Sequence, residues 1–308
     1  MANLGVIDFD DCILDALRDD NLVVFAGAGV SMGTPSNLAS FEKLANDIAQ
    51  GTGRVASAPL DRFLGQLHHS RVAVHERAAQ LLSPPDSTPN ALHHDLLRLF
   101  RSDERVRLVT TNFDHHFETA AEALFGKLPD VYRAPALPLG REFTGIVHVH
   151  GSISRPTGMV LTDADFGRAY LTEGWARRFL VEVFRRYTVL FVGYSHADVV
   201  MNYLARALPV ASVAGRFALT EEDGSWDLLG IKPIRFNKGT DADAYKELND
   251  GVQRLAERAT RGALDWQTRM AEIGGRVPPA DEEAIGEVEQ ALREVHTSRF
   301  LTNVASTM

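Results

Sequence analysis

The chain has 308 residues, 45% hydrophobic and 24% charged, with a formal net charge of −9. That composition suits an ordinary globular domain long enough to bury a sizeable core, and the acidic balance argues against direct nucleic-acid binding through a basic surface. Cys12 is the single cysteine, which excludes an intrachain disulfide and a four-cysteine zinc module.

Leu22-Val23-Val24-Phe25 is a continuous apolar run, the pattern of a parallel strand buried on both faces. It opens into Gly27-Ala28-Gly29-Val30-Ser31, where small side chains let backbone approach a phosphate. Met32 stands where the full dinucleotide fingerprint has a third glycine. Leu38, Phe41, Leu44, Ala45 and Ile48 then recur at helical spacing. From about residue 51 to 105 three further helical patterns follow, interrupted at Ser83–Pro89 by prolines that forbid helix, and this stretch is expected to form a small helical insertion. Apolar runs at Val106–Val109, Ile146–Val149, Val189–Val192, Arg216–Leu219 and Ile231–Phe236 read as strands separated by helices. Such alternation predicts an α/β fold with a Rossmann-like parallel sheet covered by helices on both faces. Gly274–Pro279 reads as a linker, so residues 1–275 form the expected main domain and 276–308 a linker with a C-terminal helix. That helix carries an apolar stripe of Ile285, Val288, Leu292 and Val295, which predicts that it covers something. No stretch reaches the roughly 18 apolar residues of a membrane helix, and no basic segment precedes an apolar one at the N-terminus, so a cytoplasmic location without membrane association is expected.

Three later strand ends also carry ligand-capable chemistry. Thr111-Asn112-Phe113-Asp114 follows the second strand, where Asn112 and Asp114 suit either a ligand or the cap of the next helix. Ile146–Ser152 reads as a strand run that ends in His150-Gly151. Period-two alternation predicts that His148 and His150 share a face, and a histidine at a sheet mouth suits a general base. Gly193-Tyr194-Ser195 follows the fourth strand. Ser195 and Asp198 are spaced as a capping box, while Gly193 and Ser195 also suit contact with a ribose. Ligands bind outside the carboxyl ends of parallel strands, so one nucleotide cleft is the simplest account of all four ends.

Taken in order, Gly27–Ser31, Thr111–Asp114, His150-Gly151 and Gly193–Ser195 resemble the sirtuin NAD-binding domain over residues 20 to 260. The resemblance implies that Gly27, Ala28, Gly29 and Ser31 cradle a pyrophosphate. It further implies that Asn112 and Asp114 address the nicotinamide ribose and carboxamide beside Thr111, that His150 is the base, and that Gly193 and Ser195 meet the adenosine half, with Asp198 nearby. Sirtuin deacylases carry Gln where this chain has Thr111, Asp-Phe-Arg where it has Ser36-Asn37-Leu38, and a zinc module that one cysteine cannot build. Those departures look like the bacterial antiphage branch, whose members hydrolyse NAD, often within an oligomer or as the effector half of a larger defence complex. The resemblance therefore implies an NAD glycohydrolase with NAD as substrate and no metal. An NAD-dependent deacylase or ADP-ribosyltransferase, and a non-catalytic module sensing NAD or ADP-ribose, remain the alternatives.

Overall fold

A computed structural model describes residues 2–3, 7–140, 142–194, 215–221, 226–240, 244–261, 263–274 and 282–293. Short antiparallel strands β1 (Ala2–Asn3) and β2 (Asp8–Phe9) precede helix α1 (Asp11–Arg18). The first strand of the main sheet, β3 (Leu22–Ala26), leads through a 3-10 turn at Ala28–Ser31 into α2 (Phe41–Ile48), α3 (Leu60–His69), α4 (Val74–Leu81) and α5 (Ala91–Arg98). Then come β4 (Arg107–Thr110), α6 (His116–Phe125), β5 (Val131–Arg133) and β6 (Gly145–His148). After α7 (Asp163–Gly167), a π-helical turn at Arg168–Thr172 and α8 (Trp175–Arg186), the chain returns to β7 (Thr188–Val192). Strands β8 (Arg216–Thr220) and β9 (Lys232–Arg235), then α9 (Lys246–Thr260), α10 (Ala263–Gly274) and α11 (Glu282–Arg293), complete the described elements.

The seven strands of the main sheet are all parallel, in the order β5-β6-β4-β3-β7-β8-β9. Alternation along β3 divides the core: Leu22, Val24 and Ala26 pack with residues of α1, α5, α6 and α9, while Val23 and Phe25 pack with Phe179, Leu180, Val183 and Phe184 of α8. Both faces are covered, as the unbroken apolar runs require. The sheet is the Rossmann-like α/β arrangement expected from the sequence. Strand β5 was not legible: it has three residues, all half-buried, on an edge. The opposite edge strand carries Pro233, which cannot donate to a further neighbour.

Helices α2, α3 and α4 share a separate core of Leu44, Ile48, Leu64, Leu67 and Ala78 with Met159 and Leu161. The third helical pattern of the 51–105 stretch goes elsewhere. Leu92, Leu96 and Leu97 of α5 join the sheet's own core beside α6 and α9. On α11, Ala284 and Val288 face Met270 and Ile273 of α10, while Ile285 is 45% and Leu292 61% exposed; Val295 and the 275–281 part of the linker lie outside the described residues.

The chain leaves β3 toward β4 and later recrosses to β7 on its other side. Strand order reverses there, so a crevice opens outside the carboxyl ends of these strands, where ligands of open α/β sheets bind. Among the described residues no helix is long and apolar enough to cross a membrane, and none form a group of three or more His, Cys, Asp or Glu able to hold a metal ion.

Candidate active site

Two glycine turns clasp at the centre of the crevice. The N–H of Gly27 donates to Val192 O and that of Gly29 to Gly193 O, both at 2.9 Å. A Cβ on Gly29 would lie 2.8 Å from Gly193 Cα, and one on Gly27 would lie 2.7 Å from the Tyr194 ring. The glycines are therefore required where turn meets turn, whatever else they approach, and their amides are engaged across the clasp. Tyr194 closes it: its hydroxyl donates to Ala26 O at 3.1 Å. Having spent its proton there, it receives that of Thr111 at 2.7 Å.

Asn112 does not cap a helix. Its backbone N–H donates to Thr110 Oγ1 at 3.0 Å, and its side-chain Nδ2 donates to Ser31 Oγ at 3.1 Å. Asp114 accepts two hydrogen bonds. Oδ1 accepts the His116 N–H at the start of α6, and Oδ2 accepts the Ser31 hydroxyl, each at 3.0 Å. Ser31 thus ties the end of β3 to both polar residues after β4. Its other neighbour is His93 Nε2, 3.2 Å from Ser31 Oγ. Nothing in the sequence near His93 pointed here, because its partner lies 62 residues away in the chain.

His148 and His150 part company. Strand β6 ends at His148, so alternation no longer governs the turn beyond it, and the expectation of a shared face fails for that reason. His148 is fully buried, with Nδ1 3.1 Å from Asn112 O and Nε2 3.0 Å from Glu118 Oε1 on α6. Burial would raise the Glu118 pKa, but the hydrogen bond and charge of His148 outweigh it and hold the carboxyl below its ordinary range. His150 points to the other side of the sheet. There Phe166 and Tyr170 meet its ring edge-on, and the Tyr170 hydroxyl is 2.8 Å from Nε2. Burial pushes the His150 pKa down to about 3, so the imidazole is neutral at physiological pH. Tyr170 sits on the π-helical turn, a local irregularity that sequence periodicity does not reveal.

A cavity of about 70 Å³ joins these groups: Ser31, Thr111, Asn112, Asp114 and His150 line it, and Phe41, Leu44 and Leu82 from the α2–α4 layer close its apolar side. Ala28 and Phe41 also line an adjoining groove of about 530 Å³ that contains Gly29, Gly193, Glu221 and Tyr245. The crevice therefore has a small, mostly apolar end lined by a few polar groups and a broad end within the size range of small-molecule sites. Of the residues singled out in the sequence, Ala28, Gly29, Ser31, Thr111, Asn112, Asp114, His150 and Gly193 line it. Gly27 lies behind it in the clasp, and Ser195 and Asp198 fall outside the described residues.

Residues 106–232 match the family model described as SIR2-like domain. The match begins at β4, so it contains Asn112, Asp114, His150 and Gly193 but not the turn after β3. The chain is 30% identical to the uncharacterized protein y4cA of Sinorhizobium fredii over 75% of its own length. It spans only 22% of that protein's length. Two solved structures align over 81% of this chain and all of theirs. One, from work on the mechanism and regulation of Sir2 enzymes, is 13% identical with a TM-score of 0.40. The other, Sir2Af2 bound to a myristoylated histone peptide, is 14% identical with a TM-score of 0.35. The parallel sheet and its crevice define a Rossmann-type α/β fold, within which residues 106–232 are similar to the SIR2-like domain.

Proposed function

We propose that the chain is an NAD glycohydrolase that cleaves the nicotinamide–ribose bond to give nicotinamide and ADP-ribose. The observation that carries this reading is the convergence of Asn112, Asp114 and His150 on one small cavity beside a broad groove at the strand-order reversal. NAD, the substrate, would place its nicotinamide end in the small cavity and its adenosine half in the groove, with the pyrophosphate along Ala28 and Gly29. The groove offers the Glu221 carboxylate to ribose hydroxyls, and Lys238 holds that carboxylate at 2.7 Å.

In the reaction the C1′–nitrogen bond breaks, its electron pair leaves with nicotinamide, and positive charge builds on the ribose as in other glycoside cleavages. Asp114 offsets that charge and Asn112 orients the ribose or the attacking water. Water forms the new C1′–oxygen bond, and its proton goes to His150. Tyr170 occupies Nε2, which leaves Nδ1 as the accepting nitrogen. The motif pattern favours a bacterial antiphage effector that depletes NAD, working as a homo-oligomer or within a larger defence complex. The exposed Ile285 and Leu292 of α11 supply an apolar face for such assembly.

Purified protein is incubated with NAD, dilute and concentrated, and nicotinamide and ADP-ribose are quantified. The expected result is stoichiometric release of both, with turnover lowered about 10²–10⁴-fold in His150→Ala and about 10²-fold or more in Asn112→Ala. Full nicotinamide release in both variants would overturn the assignment. ADP-ribose appearing only on a protein acceptor, or deacylation of an acyl-lysine peptide, would make the chain a transferase or deacylase. Binding without turnover would make it a sensing module.

A further inference from the structure

Behind the cavity, the start of α5 holds a buried polar cluster that the proposed reaction does not use. Asn90 caps this helix by accepting the His93 N–H at 3.2 Å, and its Nδ2 donates to Val30 O at 2.8 Å. It therefore pins α5 to the turn that bears Ser31. The His93 side chain is fully buried, wedged edge-on between the His116 ring at 5.4 Å and the Phe117 ring at 4.8 Å. A buried histidine at a helix start is ordinarily a satisfied core group. What sets this one apart is its target, a hydroxyl that touches both Asn112 and Asp114 of the cavity lining.

Proton counting at Ser31 is restrictive. The hydroxyl has one proton and two lone pairs; an amide Nδ2 only donates and a carboxylate only accepts. Asn112, Asp114 and His93 are satisfied together only when Ser31 gives its proton to Asp114 and His93 donates from Nε2. His93 Nδ1 then accepts the Asn90 N–H at 3.2 Å, and Asn90 Oδ1, 2.8 Å from that ring nitrogen, receives only the His93 backbone N–H. In the opposite tautomer Nδ1–H faces Asn90 Oδ1 at 2.8 Å, and Nε2 competes with Asp114 for the single serine proton. Burial pushes His93 down to about 3, so the ring carries one N–H and must choose.

We propose that His93 is a positioning residue for this site: by donating Nε2–H to Ser31 it directs the serine proton onto Asp114 and fixes Asn112 and Asp114 toward the cleft. The inference rests on the reading of these two as the reacting pair. It separates binding from chemistry, since His93 itself lines neither the cavity nor the groove.

The test compares wild type with His93→Phe, which keeps a ring but has no donor, and His93→Gln, whose amide can donate to Ser31. With NAD as substrate, His93→Phe should lower kcat about 10- to 100-fold with KM changed less than about threefold, and His93→Gln should recover most of that loss. Combining His93→Phe with Ser31→Ala should cost no more than the worse single change, because both act through one hydroxyl. Nitrogen-15 NMR of wild type should show the His93 Nε2–H tautomer, a measurement independent of any variant's folding. Wild-type kcat in His93→Phe, no recovery in His93→Gln, or an Nδ1–H tautomer overturns the inference. If wild type itself does not turn over NAD, the glycohydrolase reading falls, and the tautomer alone decides whether His93 directs Ser31.

Discussion

Gly193 shows how tightly single residues are held here. Its φ is +76°, and a Cβ would lie 2.7 Å from the Val30 amide nitrogen. Gly51 has nearly the same φ, +78°, with nothing within 4 Å of its virtual Cβ. Gly51→Ala should therefore cost only the positive-φ strain, about 1 kcal/mol, whereas Gly193→Ala adds a backbone collision and should cost about 3 kcal/mol or more. Urea denaturation of the two variants checks this; equal losses would mean the clasped turns yield freely. His150 gives a second expectation at this scale. Because burial lowers its pKa to about 3, the neutral base is fully present above roughly pH 4, and kcat/KM for NAD should show no His150-dependent fall between pH 8 and 5. An acid limb near pH 6.5 that vanishes in His150→Gln would contradict the burial argument.

Among the elements, the α2–α4 layer matters most because it closes the apolar side of the cavity. One buried tether joins α4 to α7: His75 Nε2 lies 2.8 Å from Asp165 Oδ2. Burial alone would raise the Asp165 pKa, yet hydrogen bonds from His75, from the Thr162 backbone and hydroxyl and from Arg168 outweigh it and hold it well below the carboxylate range. Asp165→Ala strips all of these at once and should cost about 3 kcal/mol. Hydrogen exchange should quicken in residues 41–81 and the KM for NAD should rise, while the sheet amides stay protected; unchanged exchange in that layer would show that the tether is dispensable. This layer also marks where the sequence stopped being legible. Helical spacing gave each helix, but the same apolar periodicity serves any core, so nothing local indicated that α5 would leave its neighbours for the sheet. The sheet strands read well where four or five apolar residues run together. The three-residue β5 carried too little pattern, and the site's donors at His93 and Tyr170 were invisible because their partners are remote in sequence.

For the molecule as a whole, His93 and His150 couple stability to pH. Each has a folded pKa of about 3 against an ordinary value of 6.5. Below pH 6.5 the unfolded chain binds protons that the folded chain refuses, so stability is greatest above 6.5 and is lost as pH falls toward 3. Each histidine contributes a slope of about 1.4 kcal/mol per pH unit across that window. Denaturation midpoints should therefore drop from pH 7 to 5, and His93→Gln should flatten the decline by one histidine's share. A midpoint equally pH-dependent in the variant would place the titration elsewhere.

The clasp of the two glycine turns has a consequence for synthesis. Tyr194 reaches Ala26 across 168 positions of sequence, and the groove wall formed by Gly193 exists only once β7 has docked beside β3. A nascent chain that has not yet produced β7 holds Asn112, Asp114 and His150 but lacks that wall. On the proposed reading of the chain as an NAD glycohydrolase, a ribosome-bound fragment would be harmless, and the capacity to consume NAD would arrive only once β7 has joined the sheet.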